Sequence, residues 1–273
     1  DGPRTAYVVE VGRGGRRGEP RAIPGVLDPH SISYAPRAGR LVYAKLALRQ
    51  NIWSFPLGRA GAASIRDGRP VTSGTQTVQA HDLSADGRWF VFDSDRRTNR
   101  DIHKIPVEGG DQVALTDAPG DEFGPRWSPD GREIAFSTGG RDGDIRVMPA
   151  GGGPSIGLTG GPGIDDAPVW SPNGLAIAFR SNRTGRLALW LLLRDSLGGP
   201  WHDAVPLADF GGVPVDWAID GSGVLCENPP EVFLISPQGR VLWRRDLAAT
   251  TRLSAIFPGL RLSPDGRTIY LPA

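Results

Sequence analysis

The pentapeptide "WSPDG" at 127–131, followed by a short apolar run, returns 43 residues later as "WSPNG" at 170–174. A repeat of this length constrains the fold more than any composition does. Each copy is one supersecondary unit that must stack on its neighbours to bury its apolar face. Anchored on the glycine that closes each turn, six copies can be counted: "YAPRAG" ending at Gly39, "LSADG" at Gly87, "WSPDG" at Gly131, "WSPNG" at Gly174, "WAIDG" at Gly221 and "LSPDG" at Gly266. The gaps are 48, 44, 43, 47 and 45 residues. Periods in the forties are those of a β-propeller, whose blades are four-stranded sheets.

The turn has a physical basis. Proline presets φ near −65°, Asp or Asn bonds its own backbone at the next corner, and glycine takes the positive φ that a branched residue resists. After each turn comes an apolar β-rich run: "RLVY" (40–43), "WFVF" (89–92), "EIAF" (133–136), "AIAF" (176–179), "VLC" (224–226) and "TIYL" (268–271). Further runs follow, as "DIHKIPV" (101–107) and then "VALT" (113–116) in one copy. Near-continuous apolarity is expected of sheets covered on both faces. Each unit therefore reads as strands A to D, with the turn between A and B.

The expected fold is all-β, a six-bladed propeller forming one domain over 1–273. Blade 1 is expected over about 30–74, blade 2 over 79–117, blade 3 over 122–160, blade 4 over 165–209 and blade 5 over 212–247. The last copy holds only A and B, whereas "TAYVVEV" (5–11) and "EPRAIP" (19–24) read as an orphan C and D. Joined end to start, Gly266 and Gly39 are 46 residues apart, within the observed range. Blade 6 is therefore expected from 258–273 plus 1–25, closing the ring with mixed termini and leaving no bare sheet edge.

Composition narrows the function classes. Glycine (38) and proline (25) exceed a fifth of the 273 residues, which fits a turn-rich chain. The net charge of +1 lacks the basic excess of a nucleic-acid groove. Cys226 stands alone, so there is no disulfide framework. No apolar run is long enough to insert in a membrane. The chain starts at Asp1 rather than methionine, and reads as a monomeric domain of a larger or processed protein.

These repeats resemble the TolB-type, WD-like β-propeller repeat, whose pattern "P-x-W-S-P-D-G-x-x-I-A-F-x-S", "D-I-Y-x-M", "G-G", "L-T" is followed by "GPRWSPDGREIAFSTGGRDGDIRVMPAGGGPSIGLT" at 124–159. The likeness spans the chain, strongest over 81–193. Residues 18–57 are also similar to the C-terminal propellers of bacterial winged-helix regulators and membrane-bound kinases. These resemblances imply a sensor or protein-interaction role and a periplasmic or extracytoplasmic location, with the cytoplasm as the alternative.

Candidate binding residues come from the loops joining D to the next A and B to C. The first set carries acids expected near the inner mouth: Asp28, Asp121, Glu122, Asp165 and Asp166. The second set carries Arg96, Arg97 and Arg183 further out. An acidic inner ring inside a basic outer ring could hold a divalent cation such as calcium, or a peptide amine, although no cofactor is required. The alternative is that these acids bond strand-end amides. His30 and His81 fall near the same mouth and could join a metal site, but lack close ligand spacing. His103 is expected to be structural and His202 exposed. Trp201, in the loop 194–204, is either an exposed anchor or packed on its own blade. "GPSIG" (153–157) matches a nucleophile motif, but no helix is expected after it.

No convergent acid–base set emerges, so the expected function is a non-catalytic binding or sensor module taking a protein, a peptide or a small ligand. The alternatives are the propeller gate of a prolyl-oligopeptidase-like enzyme and a metal-dependent propeller lyase or hydrolase.

Overall fold

The computed structural model describes residues 21, 50–54, 68–97 and 99–246 with their side chains, and the strands within 5–45 and 261–270 as backbone. The chain divides into two compact units, Asp1–Arg49 and Gln50–Ala273. Among the described residues there is no helix.

The first unit holds two antiparallel hairpins. β1 (Thr5–Gly12) pairs with β2 (Gly15–Leu27), which are the expected orphan C and D, and β3 (Pro29–Ala35) pairs with β4 (Arg40–Lys45). In the second unit, β5 (Trp53–Ser54) pairs with β6 (Arg69–Pro70).

Four complete blades follow. Blade 2 is β7 (His81–Leu83), β8 (Trp89–Ser94), β9 (Asp101–Pro106) and β10 (Val113–Ala114). Blade 3 is β11 (Glu122–Trp127), β12 (Glu133–Thr138), β13 (Ile145–Pro149) and β14 (Ile156–Gly157). Blade 4 is β15 (Asp165–Trp170), β16 (Ala176–Ser181), β17 (Ala188–Leu193) and β18 (Val205–Ala208). Blade 5 is β19 (Val213–Trp217), β20 (Val224–Asn228), β21 (Glu231–Ile235) and β22 (Val241–Asp246). Each is an antiparallel four-stranded sheet in sequence order. The last pair, β23 (Arg261–Leu262) with β24 (Ile269–Tyr270), supplies the expected A and B of the final copy.

The structure thus describes four four-stranded blades where six were expected. The strands of the first and last repeats occur as two-stranded pairs, and those of the first repeat, expected at 30–74, fall in both units.

The core lies in the seams between blades, because strand residues alternate between two faces that are both covered. Val91 and Ile102 of blade 2 pack on Trp127, Ile134 and Phe136 of blade 3. Ala135 and Val147 of blade 3 pack on Trp170, Ile177 and Phe179 of blade 4. Leu189 and Leu191 of blade 4 pack on Val224, Cys226 and Phe233 of blade 5. Cys226 is fully buried, and burial raises its thiol pKa.

The repeated turn is held by its side chains. In blade 3, Gly131 donates its N–H to the Ser128 carbonyl at 2.9 Å and takes φ +69°. The Ser128 hydroxyl donates to Asp130 at 2.6 Å and accepts the Glu133 N–H at 2.9 Å, joining the turn to the next strand. Ser84 with Asp86 and Ser171 with Asn173 repeat this arrangement. Blade 5 has Ala218 at the serine position, and Asp220 accepts the Ser222 N–H at 2.9 Å.

Candidate binding face

Within blades 2 to 5 the A strands of neighbouring sheets lie side by side and form the inner edge. The A-to-B turns lie at one end of the strands. The D-to-A and B-to-C loops lie at the other end, which is the loop face.

Acids bind the inner strands together. Asp93, 1% exposed at the loop end of β8, accepts the Gln79 and Ala80 N–H groups at 2.8 and 3.0 Å, and that of Gly124 in blade 3 at 3.2 Å. Asp82 of β7 accepts the Trp127 N–H at 2.9 Å and lies 3.9 Å from the Arg126 guanidinium. Arg126 itself reaches beyond blade 4, donating to the Val215 carbonyl of blade 5 at 3.3 Å. None of these residues was singled out from the sequence. Asp93 aligns with Ser137 and Arg180 of the next copies, so the repeat offers no signal there.

Most of the acids that were singled out are also paired locally. Asp121 accepts the Arg100 N–H at 2.9 Å. Asp166 and Arg180 form a two-bond pair, with Arg180 Nε donating to Oδ1 at 2.8 Å and Nη2 to Oδ2. Arg183 donates to Asp165 Oδ2 and lies over the rings of Phe179 and Trp190, at 5.4 and 4.9 Å. Arg183 therefore joins the acids instead of standing in an outer ring. Glu122 is buried; loss of water raises its carboxyl pKa, partly opposed by a Thr116 hydrogen bond, and Asp101 raises it further.

Arg96 bonds Gln112 at 3.1 Å and is exposed, as is Arg97. His81 opens β7 and is exposed, edge-on to Phe90. Asp28 and the side chain of His30 lie outside the described residues. Among the described residues, no group of three or more His, Cys, Asp or Glu side chains is placed to hold a metal ion.

His103 is buried and stacked on Phe92 at 5.7 Å, and burial lowers its pKa to about 4, helped by Arg97 and Arg96. His202 is exposed. Trp201 packs back on its own blade, against Trp170 at 5.6 Å. Between these rings lies Arg194, whose side chain is 1% exposed and pairs with Glu133 of blade 3 at 2.7 Å. "GPSIG" lies at the outer strand β14, with no helix after it.

No family model matches the chain. One curated relative is an uncharacterized peptidase, YuxL, of Bacillus subtilis (strain 168), 34% identical over 121 residues. The match covers 41% of this chain and 17% of that protein. Among solved structures, the fold is similar to that of a putative TolB from Agrobacterium tumefaciens, with a TM-score of 0.57 and 22% identity, covering 83% of each chain. It is similar to TolB from Acinetobacter baumannii, with a TM-score of 0.59 and 17% identity, covering 74% of this chain and 50% of that one. A chain of a nidogen/laminin complex gives a TM-score of 0.59 and 15% identity, over 71% and 74% of the two chains. The fold is thus that of TolB-type β-propellers.

Proposed function

We propose that this chain is a non-catalytic protein-interaction module in which six repeats close one ring and a protein partner docks on the loop face. One observation carries this reading. The acids nearest the inner edge serve as braces, while Ile164 and Leu187 on the loop face of blade 4 stand 38% and 49% exposed, with Arg141 and Arg186 exposed in the same set of loops. Apolar side chains bordered by charge are the composition of a protein interface. The likeness to TolB-type propellers supports an extracytoplasmic sensor or scaffold role. On this reading no cofactor is needed; a cation at the mouth is tested by calcium titration of the Asp121→Asn, Asp165→Asn and Asp166→Asn variants.

The test is cross-linking mass spectrometry on the natural full-length protein. Cross-links from a partner concentrated on the loops of blade 4 support the reading. Peptide hydrolysis by this chain alone overturns it. The second reading, a propeller attached to a hydrolase, is favoured by the peptidase-named relative. It requires a catalytic domain encoded with this chain.

A further inference from the structure

The turn face differs from seam to seam. In blade 4 the loop 194–204 between the C and D strands reaches back over blade 3. Arg194 pairs there with Glu133, and Leu197 packs onto the blade 4 turn. A Cβ added to Gly174 would meet Leu197 Cδ2 at 2.9 Å and Pro129 Cγ, from the blade 3 turn, at 3.4 Å. An aliphatic side chain, itself 51% exposed, thus covers part of this seam from within the molecule and leaves a smaller hollow of about 390 Å³ lined by Asp130, Glu133, Met148 and Leu197.

Blade 5 has no such loop. Its C-to-D connection is the tight turn 236–240, closed by the Gly239 N–H to the Ser236 carbonyl and the Ser236 N–H to the Arg240 carbonyl. A Cβ on Gly221, the counterpart of Gly174, would meet nothing within 4 Å. What remains between blades 4 and 5 is an open cleft of about 610 Å³, floored by Leu175, Leu191 and Trp217 and edged by Pro172, Leu193 and Ile219. Leu193 and Ile219 are 37% and 63% exposed.

The charges at the cleft favour one sign of occupant. Arg194 is buried and neutralised by Glu133. The other charged lining residues are Asp195 and Asp220. The Asp195 side chain is 90% exposed, 3.2 Å from His202, and Asp220 is exposed at the turn. An apolar floor with carboxylates at its edge attracts an aliphatic anchor carried between cations.

We propose that the cleft between blades 4 and 5 is a docking site for a peptide segment of another protein carrying a leucine-like anchor flanked by lysine or arginine. This segment supplies from outside what Leu197 supplies at the neighbouring seam. The site lies at the opposite end of the strands from the loop face and does not depend on the role assigned to that face.

The test titrates the isotope-labelled chain, by NMR, with an amidated nonapeptide of alternating lysine and leucine, and with its glutamate–leucine counterpart. The expected result is a set of saturable shifts at Leu175, Leu193, Ile219 and Asp220 with the lysine peptide. The glutamate peptide should bind at least tenfold more weakly. Ile219→Asp should weaken lysine-peptide binding at least tenfold, and Asp195→Lys several-fold, while both retain the wild-type circular dichroism. Ile219→Ser serves if Ile219→Asp fails to fold. Absence of shifts in the cleft at millimolar peptide, equal binding of both peptides, or binding indifferent to the Ile219 variants overturns the proposal. A doubling of mass in solution that Ile219→Ser abolishes also overturns it, assigning the cleft to a second copy of the chain.

Discussion

Arg126 and Val215 are joined by a 3.3 Å hydrogen bond between the inner strands of blades 3 and 5, with the whole of blade 4 intervening in sequence. The guanidinium also faces Asp82 of blade 2, so one side chain ties three blades at the inner edge. Replacing Arg126 with leucine removes the donor to the Val215 carbonyl and the positive charge beside Asp82. Hydrogen bonds to charged groups contribute about 1.5–3 kcal/mol, and a loss in this range is expected in chemical denaturation. Faster amide exchange should appear in β11 and β19, and not in the outer strands.

The turn chemistry makes opposite predictions at two copies. Ser128→Ala removes both the donor to Asp130 and the acceptor of the Glu133 N–H, and should cost about 1–2 kcal/mol. Ala218→Ser adds the hydroxyl that the blade 5 turn lacks, with Asp220 already two residues on, and should raise the melting temperature. Thermal unfolding of the two variants beside wild type checks both signs.

A shared backbone feature gives a third test. The third residue of the A strand takes a left-handed φ in blades 3 and 4, +63° at Gly124 and +55° at Ala167, where the pairing with strand B slips. An added Cβ on Gly124 would meet nothing within 4 Å, so Gly124→Ala should cost only the backbone term, about 1 kcal/mol. Ala167→Gly should relieve the corresponding strain, offset in part by unfolded-state entropy, giving a gain below about 1 kcal/mol. Matched denaturation curves for the pair settle the ordering.

Glu227 sets a pH dependence. It is 3% exposed in β20 with Oε1 unpartnered among the described residues, and burial pushes its pKa up to about 7, against a weaker pull from Arg180. The unfolded side chain ionises near 4.5, so between 4.5 and 7 the folded state binds more protons than the unfolded one. Stability contributed by this group therefore falls as pH rises through that window and is level above it. Glu122 and Asp101, both raised by burial, add in the same direction. Glu227→Gln should flatten the slope and be more stable than wild type at pH 8, by an amount on the order of 2 kcal/mol.

The strand order and turn positions of blades 2 to 5 were legible because the repeat carries them from one copy to the next. Phe92, Phe136 and Phe179 stand at one repeat position and are all fully buried. The site was less legible. That Asp165 and Asp166 lie at the start of an A strand can be read from spacing. That they turn to opposite faces and meet Arg183 and Arg180 depends on strand register. Asp93 and Arg126 brace the inner edge through contacts 31 and 89 residues away, at positions where the copies differ. The open seam between blades 4 and 5 follows from the absence of a long loop, visible in sequence only once the neighbouring loop is known to cover its own seam.

The most direct test of the interaction role is affinity purification of the natural protein from its own cells, comparing wild type with a Leu187→Asp/Arg186→Glu variant of equal thermal stability. A protein partner that co-purifies stoichiometrically with wild type and is lost from the variant is the predicted result. A partner retained equally by both proteins, or peptide hydrolysis by residues 1–273 alone, would contradict it.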